Sequence, residues 1–577
     1  MATVAQHLTD LVQQAIVSAG VAEAGTPIEP CVPTNNPEHG DYQSNAAFRF
    51  AKKARQNPRA VGQQVLDHLP ADPAIAEATL AGPGFLNLRL ADAWLAADVA
   101  ERATDDRLGG PTPGEGRTVV IDYSSPNIAK RMHVGHLRST VIGNALDRLH
   151  RYLGWTVVAD NHIGDWGTQF GKLIVMWRRD ADEAAYDADP IGELQRLYQS
   201  FGPAAEAEPE LSDAARAETA KLQAGDPNNL DLWKRFVDAS MKEFDTVYDR
   251  LGVAFDVVHG ESFYRHELRE LVDDLLAKGI AEPSEGAVVV PFQPEDGKGL
   301  AKQPLLVRKS DGAALYGTTD LATAKHRVET WDPAKVLYVT DTRQQSHFRQ
   351  VIAAAKKMGL DSPEYVHTWF GMLKFSGGAV ASTRAGDVIN LVDLLDTAAA
   401  KAFDIVTEKS PDLPEAERRD IAEAVGTGTI RYFDLSQNPQ SDITFTWDKA
   451  LSLDGGSAVY LMYAHARLHS ILRKGEATEG VPGPAACETP EERTLAMLVA
   501  RTPEAILSAA DTYRPNLLAE HLDSLAKAVG GFYSACPILQ DGVPADVRQR
   551  RLALVFAVTR ALKLGLGLLG IRAVDRM

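Results

Sequence analysis

Hydrophobic and polar positions change period several times along the chain, and each change marks an element. Met1 to Gly25 mixes acids and glutamines into an amphipathic pattern, which predicts an opening helix. The turn-rich stretch Pro37-Glu-His-Gly-Asp-Tyr42 follows, then a helix from about Asn45 and a strand, Phe85-Leu-Asn-Leu-Arg-Leu90. Residues 1–110 therefore read as a small α/β unit. Leu108-Gly-Gly-Pro-Thr-Pro-Gly-Glu-Gly116 crowds six glycines and prolines into nine residues and reads as a linker.

Past Thr118 a β-branched run to Ile121 gives way to Leu137, Val141, Ile142, Leu146 and Leu149 at helical spacing, and then to a second β-rich run at 156–158. Strand, helix and strand in that order predict a parallel sheet. Residues 178–290 read as mostly helical and polar, with the acidic Ala204 to Asp226 as a solvated insertion. Strand-like Ala287 to Pro291 and Lys335 to Thr340 resume the α/β pattern. From about Asp448 onward the pattern is almost purely helical, which predicts an all-α domain over 451–577.

Composition narrows the class of partner. At 45% hydrophobic and 24% charged, the 577 residues are ordinary for a globular chain of several domains. A net charge of −18 argues against nonspecific coating of nucleic acid, which needs many cations to release phosphate counterions. The balance reverses locally at the end, where Arg548, Arg550, Arg551, Arg560, Lys563, Arg572 and Arg576 face only Asp546 and Asp575. Cys31, Cys487 and Cys536 are far apart and lack metal-ligand spacing, so neither a disulfide framework nor a zinc site is expected. With no leader pattern and no apolar run of about 18 residues, a cytoplasmic location and no membrane partner are expected.

The first strand-to-helix junction carries His133-Val-Gly-His136. A helix N-terminus offers free N–H groups and a positive dipole end to phosphate, and Gly135 removes a side chain where a ligand approaches. Two histidines around that glycine suit charge stabilisation during phosphoryl or nucleotidyl transfer. Taken alone, the tetrad is weak evidence and reads more simply as one histidine capping the helix and the other packed.

Its surroundings decide between these. Asp122-Tyr-Ser-Ser-Pro-Asn-Ile-Ala-Lys130 precedes the tetrad and Leu137-Arg-Ser-Thr140 follows it. The run resembles the HIGH motif of class I aminoacyl-tRNA synthetases, in its arginyl-tRNA synthetase form. The resemblance continues in order through Pro37 to Tyr42, Ala81-Gly-Pro-Gly-Phe85, Asn161 to Gly171, Tyr316-Gly-Thr-Thr-Asp320, Arg343-Gln344 with His347, Tyr463-Ala-His-Ala-Arg467 and Leu568-Leu-Gly-Ile571. It implies a multi-domain α/β plus all-α fold: an N-terminal tRNA-contacting domain (1–110), a Rossmann-like catalytic domain (111–450) with an insertion at about 178–290, and an all-α anticodon-binding domain (451–577). It also implies the activity: arginine is activated with ATP to an adenylate, and the arginyl group passes to the terminal ribose of tRNA(Arg). ATP with Mg²⁺, arginine and tRNA are the expected substrates, the chain is expected to be a monomer, and tRNA is expected to bind before activation.

Arginine suits the residues independently. A guanidinium is a permanent planar fork of donors and needs a carboxylate with an aromatic or amide neighbour. Tyr316 and Asp320, four apart, share a face if their stretch is helical. The resemblance adds Ser125, Asn127, His136 and Gln344 to the arginine site. It gives His133, Gly135, His136, Gly371, Met372, Ser382 and Thr383 to ATP, with Phe370 to Met372 as an adenine-contacting strand end. The second class I signature departs from its usual form: in Val380-Ala-Ser-Thr-Arg-Ala-Gly386 both expected lysine positions are uncharged. Lys130 and Arg384 are the candidate replacement cations for pyrophosphate. For tRNA, Tyr460, Tyr463 and Arg467 interleave rings with a cation, which suits base stacking and equally suits a helix face half in the core, while the resemblance makes Asn36, Tyr42 and Asn45 the polar N-terminal candidates. The rival readings are a cytidylyltransferase-like enzyme sharing a His-x-Gly-His site and a synthetase paralogue that binds arginine or tRNA without charging.

Overall fold

The computed structural model describes residues 1–34, 36–310, 312–375 and 389–577. The chain divides into two compact units. One comprises Met1–Pro113, Val406–Ala424 and Leu451–Met577, and the other Gly114–Ile405 and Val425–Ala450.

In the first unit, helix α1 (Val4–Ser18) starts where the Thr3 hydroxyl accepts from the Gln6 amide, and it buries Val4, Leu8, Val12 and Ile16. Strands β1 (Val32–Pro33) and β2 (Tyr42–Ser44), helices α2 (Ala46–Ala54) and α3 (Pro58–Asp67), strands β3 (Ile75–Ala81) and β4 (Phe85–Leu90), and helix α4 (Asp92–Thr104) follow. The strands form one antiparallel sheet in the order β1-β2-β4-β3.

The second unit opens with β5 (Thr118–Asp122), α5 (Val134–Tyr152) and β6 (Thr156–Asp160). Helices α6 (Gln169–Asp180), α7 (Glu183–Ala188), α8 (Pro190–Ala207), α9 (Glu210–Gln223), α10 (Pro227–Leu251) and α11 (Leu268–Ala277) come next. Strands β7 (Glu282–Ser284), β8 (Ala287–Val290) and β9 (Leu305–Arg308) pair antiparallel. Then follow α12 (Tyr316–Trp331), β10 (Lys335–Tyr338), α13 (Gln345–Lys357), β11 (Glu364–His367), β12 (Leu373–Phe375), α14 (Leu391–Lys409), α15 (Glu415–Leu435), β13 (Ile443–Phe445) and α16 (Trp447–Ala450). The central sheet, β11-β10-β5-β6, is parallel throughout, so its order reverses between β5 and β10. Val119, Val120 and Ile121 of β5 are completely buried, as expected for a strand covered on both faces.

The first unit ends in four long helices: α17 (Ala458–Lys474), α18 (Pro490–Asp511), α19 (Asn516–Ala535) and α20 (Ala545–Leu568). Thr489 and Glu492 close a capping box at the start of α18. Both α18 and α20 pack on α4, and Arg493 bonds Asp41 through both terminal nitrogens, at 2.9 and 2.8 Å.

Two expectations need correction. Ala204 to Asp226 is not a solvated insertion: α9 buries Ala215, Thr219 and Leu222 and packs on α6, where a Cβ added to Gly171 would meet the Ala215 carbonyl at 2.1 Å. Its acids mislead because Glu218 is itself enclosed by Arg178, Lys221 and Asn229. The strand at 287–290 belongs to the small antiparallel sheet, so it does not extend the parallel one. Phe370 pairs in parallel with Asp341 beyond β11, so it does close the strand edge, and Gly371 and Met372 link it to β12.

Candidate active site

Because the central strands are parallel, their carboxyl ends share one edge, and the reversal between β5 and β10 opens a crevice there. The segments leaving β5 (123–136), β6 (161–168), β10 (339–344) and β11 (368–372) carry most of the residues singled out from the sequence. His133 is the N-cap of α5: its Nδ1 accepts from the Gly135 amide at 3.0 Å, while the His136 Nδ1 accepts from the His133 amide at 3.2 Å. The helix-capping and ligand readings of the tetrad thus coexist, since the Nε2 edges take no part in these bonds. A Cβ on Gly135 would meet the His133 ring at 2.6 Å. Burial, then the charges of Lys130 and Arg343, lower His133, and burial with the neighbouring His133 lowers His136 to about 3. Both rings are therefore neutral near pH 7.

Upstream of the tetrad the backbone is unusual, with Ser124, Ser125 and Ala129 at φ of 74, 49 and 62°. Ser125 is pinned on both sides: its amide donates to Asn161 Oδ1 and its hydroxyl to Asp122 Oδ1, each at 3.0 Å. Asn127 is exposed and forms a bridge with Gly164. Lys130 lies with its Nζ 4.5 Å from the centre of the Tyr198 ring. Gln344 is exposed on the turn Thr342–Gln344. Gly371 accepts from Arg138 Nη1 at 2.7 Å, and the Met372 amide donates to Asp442 at 2.8 Å. Ser382, Thr383 and Arg384 lie outside the described residues.

Tyr316 and Asp320 lie on α12 as its first and fifth residues, so they share a face. Tyr316 is 64% exposed, leaving its ring free to stack. Asp320 is hydrogen-bonded to His347, and although burial opposes protonation of that ring, Asp320 lifts its pKa above the ordinary value. Sequence reasoning missed Glu261, at 9% exposure. Burial, with the charges of Asp165 and Asp320, pushes its carboxyl up to about 7, and its charge also reaches Tyr316. Glu261 thus feels Asp320 and Asp165 as well as His162, and both Glu261 and Asp320 act on the Tyr316 ring. No periodicity could have signalled Glu261, which sits in the short turn Glu261–Tyr264.

In the other unit the tRNA candidates divide. Tyr463 and Arg467 are exposed on α17, and Arg467 lies 3.6 Å from the centre of the exposed Tyr533 ring, an aromatic that sequence reasoning missed. Tyr460 is half-buried and donates to the Ala526 carbonyl. Asn36 is exposed and caps its own turn at Glu38, and Asn45 is half-buried ahead of α2. Tyr42 must be withdrawn: it is completely buried, and its hydroxyl is tied to Glu504 at 3.0 Å, so no base can reach it. The basic tail is likewise largely spent internally, with Arg551 on Glu492, Arg560 on Asp106, Arg572 on Asp420 and Arg576 on Glu417.

A parallel sheet with a histidine-capped helix at its switch point, beside an acidic pocket, has the architecture of a class I tRNA synthetase. The family described as "tRNA synthetases class I (R), catalytic domain" matches residues 98–447. The "Arginyl tRNA synthetase N terminal domain" matches 6–90 and the "DALR anticodon binding domain" 461–577. An arginine–tRNA ligase of Fusobacterium nucleatum subsp. nucleatum is 43% identical over 100% of both chains, and one of Shigella sonnei is 40% identical over 99% of both. The crystal structure titled Thermus thermophilus arginyl-tRNA synthetase superposes with a TM-score of 0.82 at 26% identity, over 100% of both chains. The chain belongs to the arginyl-tRNA synthetase family.

Proposed function

We propose that this chain joins L-arginine to tRNA(Arg) in two steps, activating the amino acid with ATP and then transferring it to the terminal ribose of the tRNA. The observation that carries this reading is the pocket of Tyr316, Asp320 and Glu261. Burial, with the charges of Asp165 and Asp320, pushes the Glu261 carboxyl up, and a bound guanidinium would offset both. Ser125, Asn127, His136 and Gln344 would hold the amino and carboxyl groups, which places the carboxylate near the start of α5. There Gly135 leaves room for the triphosphate, with Gly371 and Met372 toward the adenosine. Neutral His133 and His136 suit donation of hydrogen bonds from Nε2 to phosphate without a bound proton that would titrate near pH 7. No enzyme nucleophile is required, so rate comes from positioning and charge stabilisation.

Lys130 and Arg343, whose fields reach His133, are the cations we assign to the departing pyrophosphate, with Arg384 a further candidate outside the described residues. Among the described residues no group of three or more His, Cys, Asp or Glu side chains is arranged to hold a metal ion. Mg²⁺ enters with ATP, held mainly by phosphate oxygens. The three-domain division at residues 110 and 450, the tRNA contacts by Asn36, Asn45, Tyr460, Tyr463 and Arg467, a monomeric state and a cytoplasmic location complete the reading. Among the described residues no helix is long and apolar enough to cross a membrane. The test is charging of tRNA(Arg) with radiolabelled arginine by the purified protein, beside Lys130→Ala. Arginine-dependent charging that falls in the variant supports the reading. A wild type that binds arginine and tRNA but never charges makes the chain a paralogue.

A further inference from the structure

Arg327 is completely buried on the helix that carries the pocket residues Tyr316 and Asp320. At about 100° per residue, positions 316, 320 and 327 fall within roughly 40° of one another, a single stripe running from the exposed ring to the buried base. There the Arg327 Nη2 donates to Asp122 Oδ2 at 2.8 Å and to Asp160 Oδ2 at 2.7 Å, and Nε reaches Asp160 at 3.2 Å. Asp122 and Asp160 end β5 and β6 and stand opposite each other in the sheet. Each acid passes the contact outward. Asp122 Oδ1 accepts the hydroxyl of Ser125 at 3.0 Å, and Asp160 Oδ1 accepts the amide of His259, at the head of the segment that carries Glu261, at 3.4 Å.

Two features make this more than core packing. Ser124, Ser125 and Ala129 hold left-handed backbone, which persists only where the surroundings over-determine it, and the bond to Asp122 anchors the Ser125 hydroxyl. Nη2 meets both carboxylates while Nε adds a second bond to Asp160, a rigid planar set of donors that the single flexible nitrogen of a lysine does not reproduce.

We infer that Arg327 is a positioning residue for amino-acid recognition: through Asp122 it sets Ser125 at the backbone end of the substrate, and through Asp160 it sets the His259–Glu261 segment at the guanidinium end. The inference rests on the arginine pocket assigned above. The two arms serve opposite ends of the substrate, so they can be separated with butylguanidine, which keeps the guanidinium and lacks the amino and carboxyl groups.

Charging assays at saturating ATP and tRNA, with thermal melts to establish folding, would compare wild type, Asp122→Asn and Arg327→Lys for the KM of arginine, the inhibition constant of butylguanidine and the KM of ATP. Asp122→Asn turns an amide N–H₂ toward the guanidinium. It should raise the arginine KM about tenfold, the order of one charge-assisted hydrogen bond, while butylguanidine inhibition and the ATP KM stay within about twofold. Arg327→Lys should weaken arginine and butylguanidine together with the ATP KM unchanged, and if it does not fold, Asp122→Asn carries the test alone. Equal losses of arginine and butylguanidine in Asp122→Asn, a parallel rise in ATP KM, or no change in either variant would overturn the role of Arg327. A wild type that charges no arginine, or that butylguanidine does not inhibit, would instead overturn the pocket itself.

Discussion

Arg138, on the helix that begins at the histidine tetrad, is 1% exposed and donates from Nε to Asp434 at 2.9 Å, with Asp434 only 2% exposed. Its Nη1 donates to the carbonyls of Gly371 and Ser441 at 2.7 and 2.9 Å. Replacing Asp434 with Ala leaves a guanidinium buried with two carbonyls and no counter-charge, and breaking such a pair from one side costs about 3–5 kcal/mol. At roughly 2–3 °C per kcal/mol for a large unit, the melting temperature should fall by about 6–15 °C. Replacing both partners, as Arg138→Met with Asp434→Leu, removes the stranded charge, so the remaining loss should be the two carbonyl bonds, about 1–3 kcal/mol. The double variant should therefore be more stable than Asp434→Ala alone. It should also show a raised KM for ATP, because the Gly371 carbonyl then loses its bond from Arg138. The measurements are calorimetric melts of wild type, Arg138→Met, Asp434→Leu, the double variant and Asp434→Ala, together with steady-state charging. Additive losses in the double variant, or an Asp434→Ala protein as stable as wild type, would refute the argument that the pair is energetically coupled and isolated from water.

Other expectations follow from the same geometry. With Glu261 raised to about 7, its protonation competes with a bound cation, so arginine affinity should rise with pH through about 7 and level off above; a pH series of arginine KM should lose that step in Glu261→Gln. In Gly371→Ala the new methyl would lie 2.5 Å from the Ser441 carbonyl, an overlap with backbone, and melts should show about 1–3 kcal/mol of destabilisation together with weaker ATP binding. Arg467→Ala and Tyr533→Ala should raise the KM for tRNA by an amount equivalent to about 1–3 kcal/mol and leave that for arginine unchanged. Tyr42→Phe should lower the melting temperature by the loss of its bond to Glu504, about 1–2 kcal/mol, with no effect on the KM for tRNA.

Sequence and structure agree most where periodicity is strong and local. The β5-α5-β6 unit, the opening helix and the final helices were all visible in the spacing of apolar residues. Agreement fails where a residue's role depends on partners distant in the chain. Tyr42 read as a surface tyrosine in a polar turn, yet its partner Glu504 lies far along the chain and encloses it. Arg551, Arg560 and Arg572 looked like a basic surface because their acids at 492, 106 and 420 are invisible in the local composition. Glu261 was silent for a similar reason, since its importance comes from Asp165 and Asp320, which only folding brings close. The helical reading of Tyr316 and Asp320 needed just one element and held.

The pairing of Asp41 with Arg493, and of Tyr42 with Glu504, also bears on how the protein is made. The sheet of residues 32–90 and the helices that complete its unit are separated by most of the chain, so a ribosome adding about 5–20 residues per second delivers the second half of that unit on the order of half a minute after the first. Meanwhile Asp41 lacks its guanidinium and Tyr42 its cover. A ribosome stalled before α18 would therefore hold a nascent chain whose first sheet still lacks the partners of Asp41 and Tyr42.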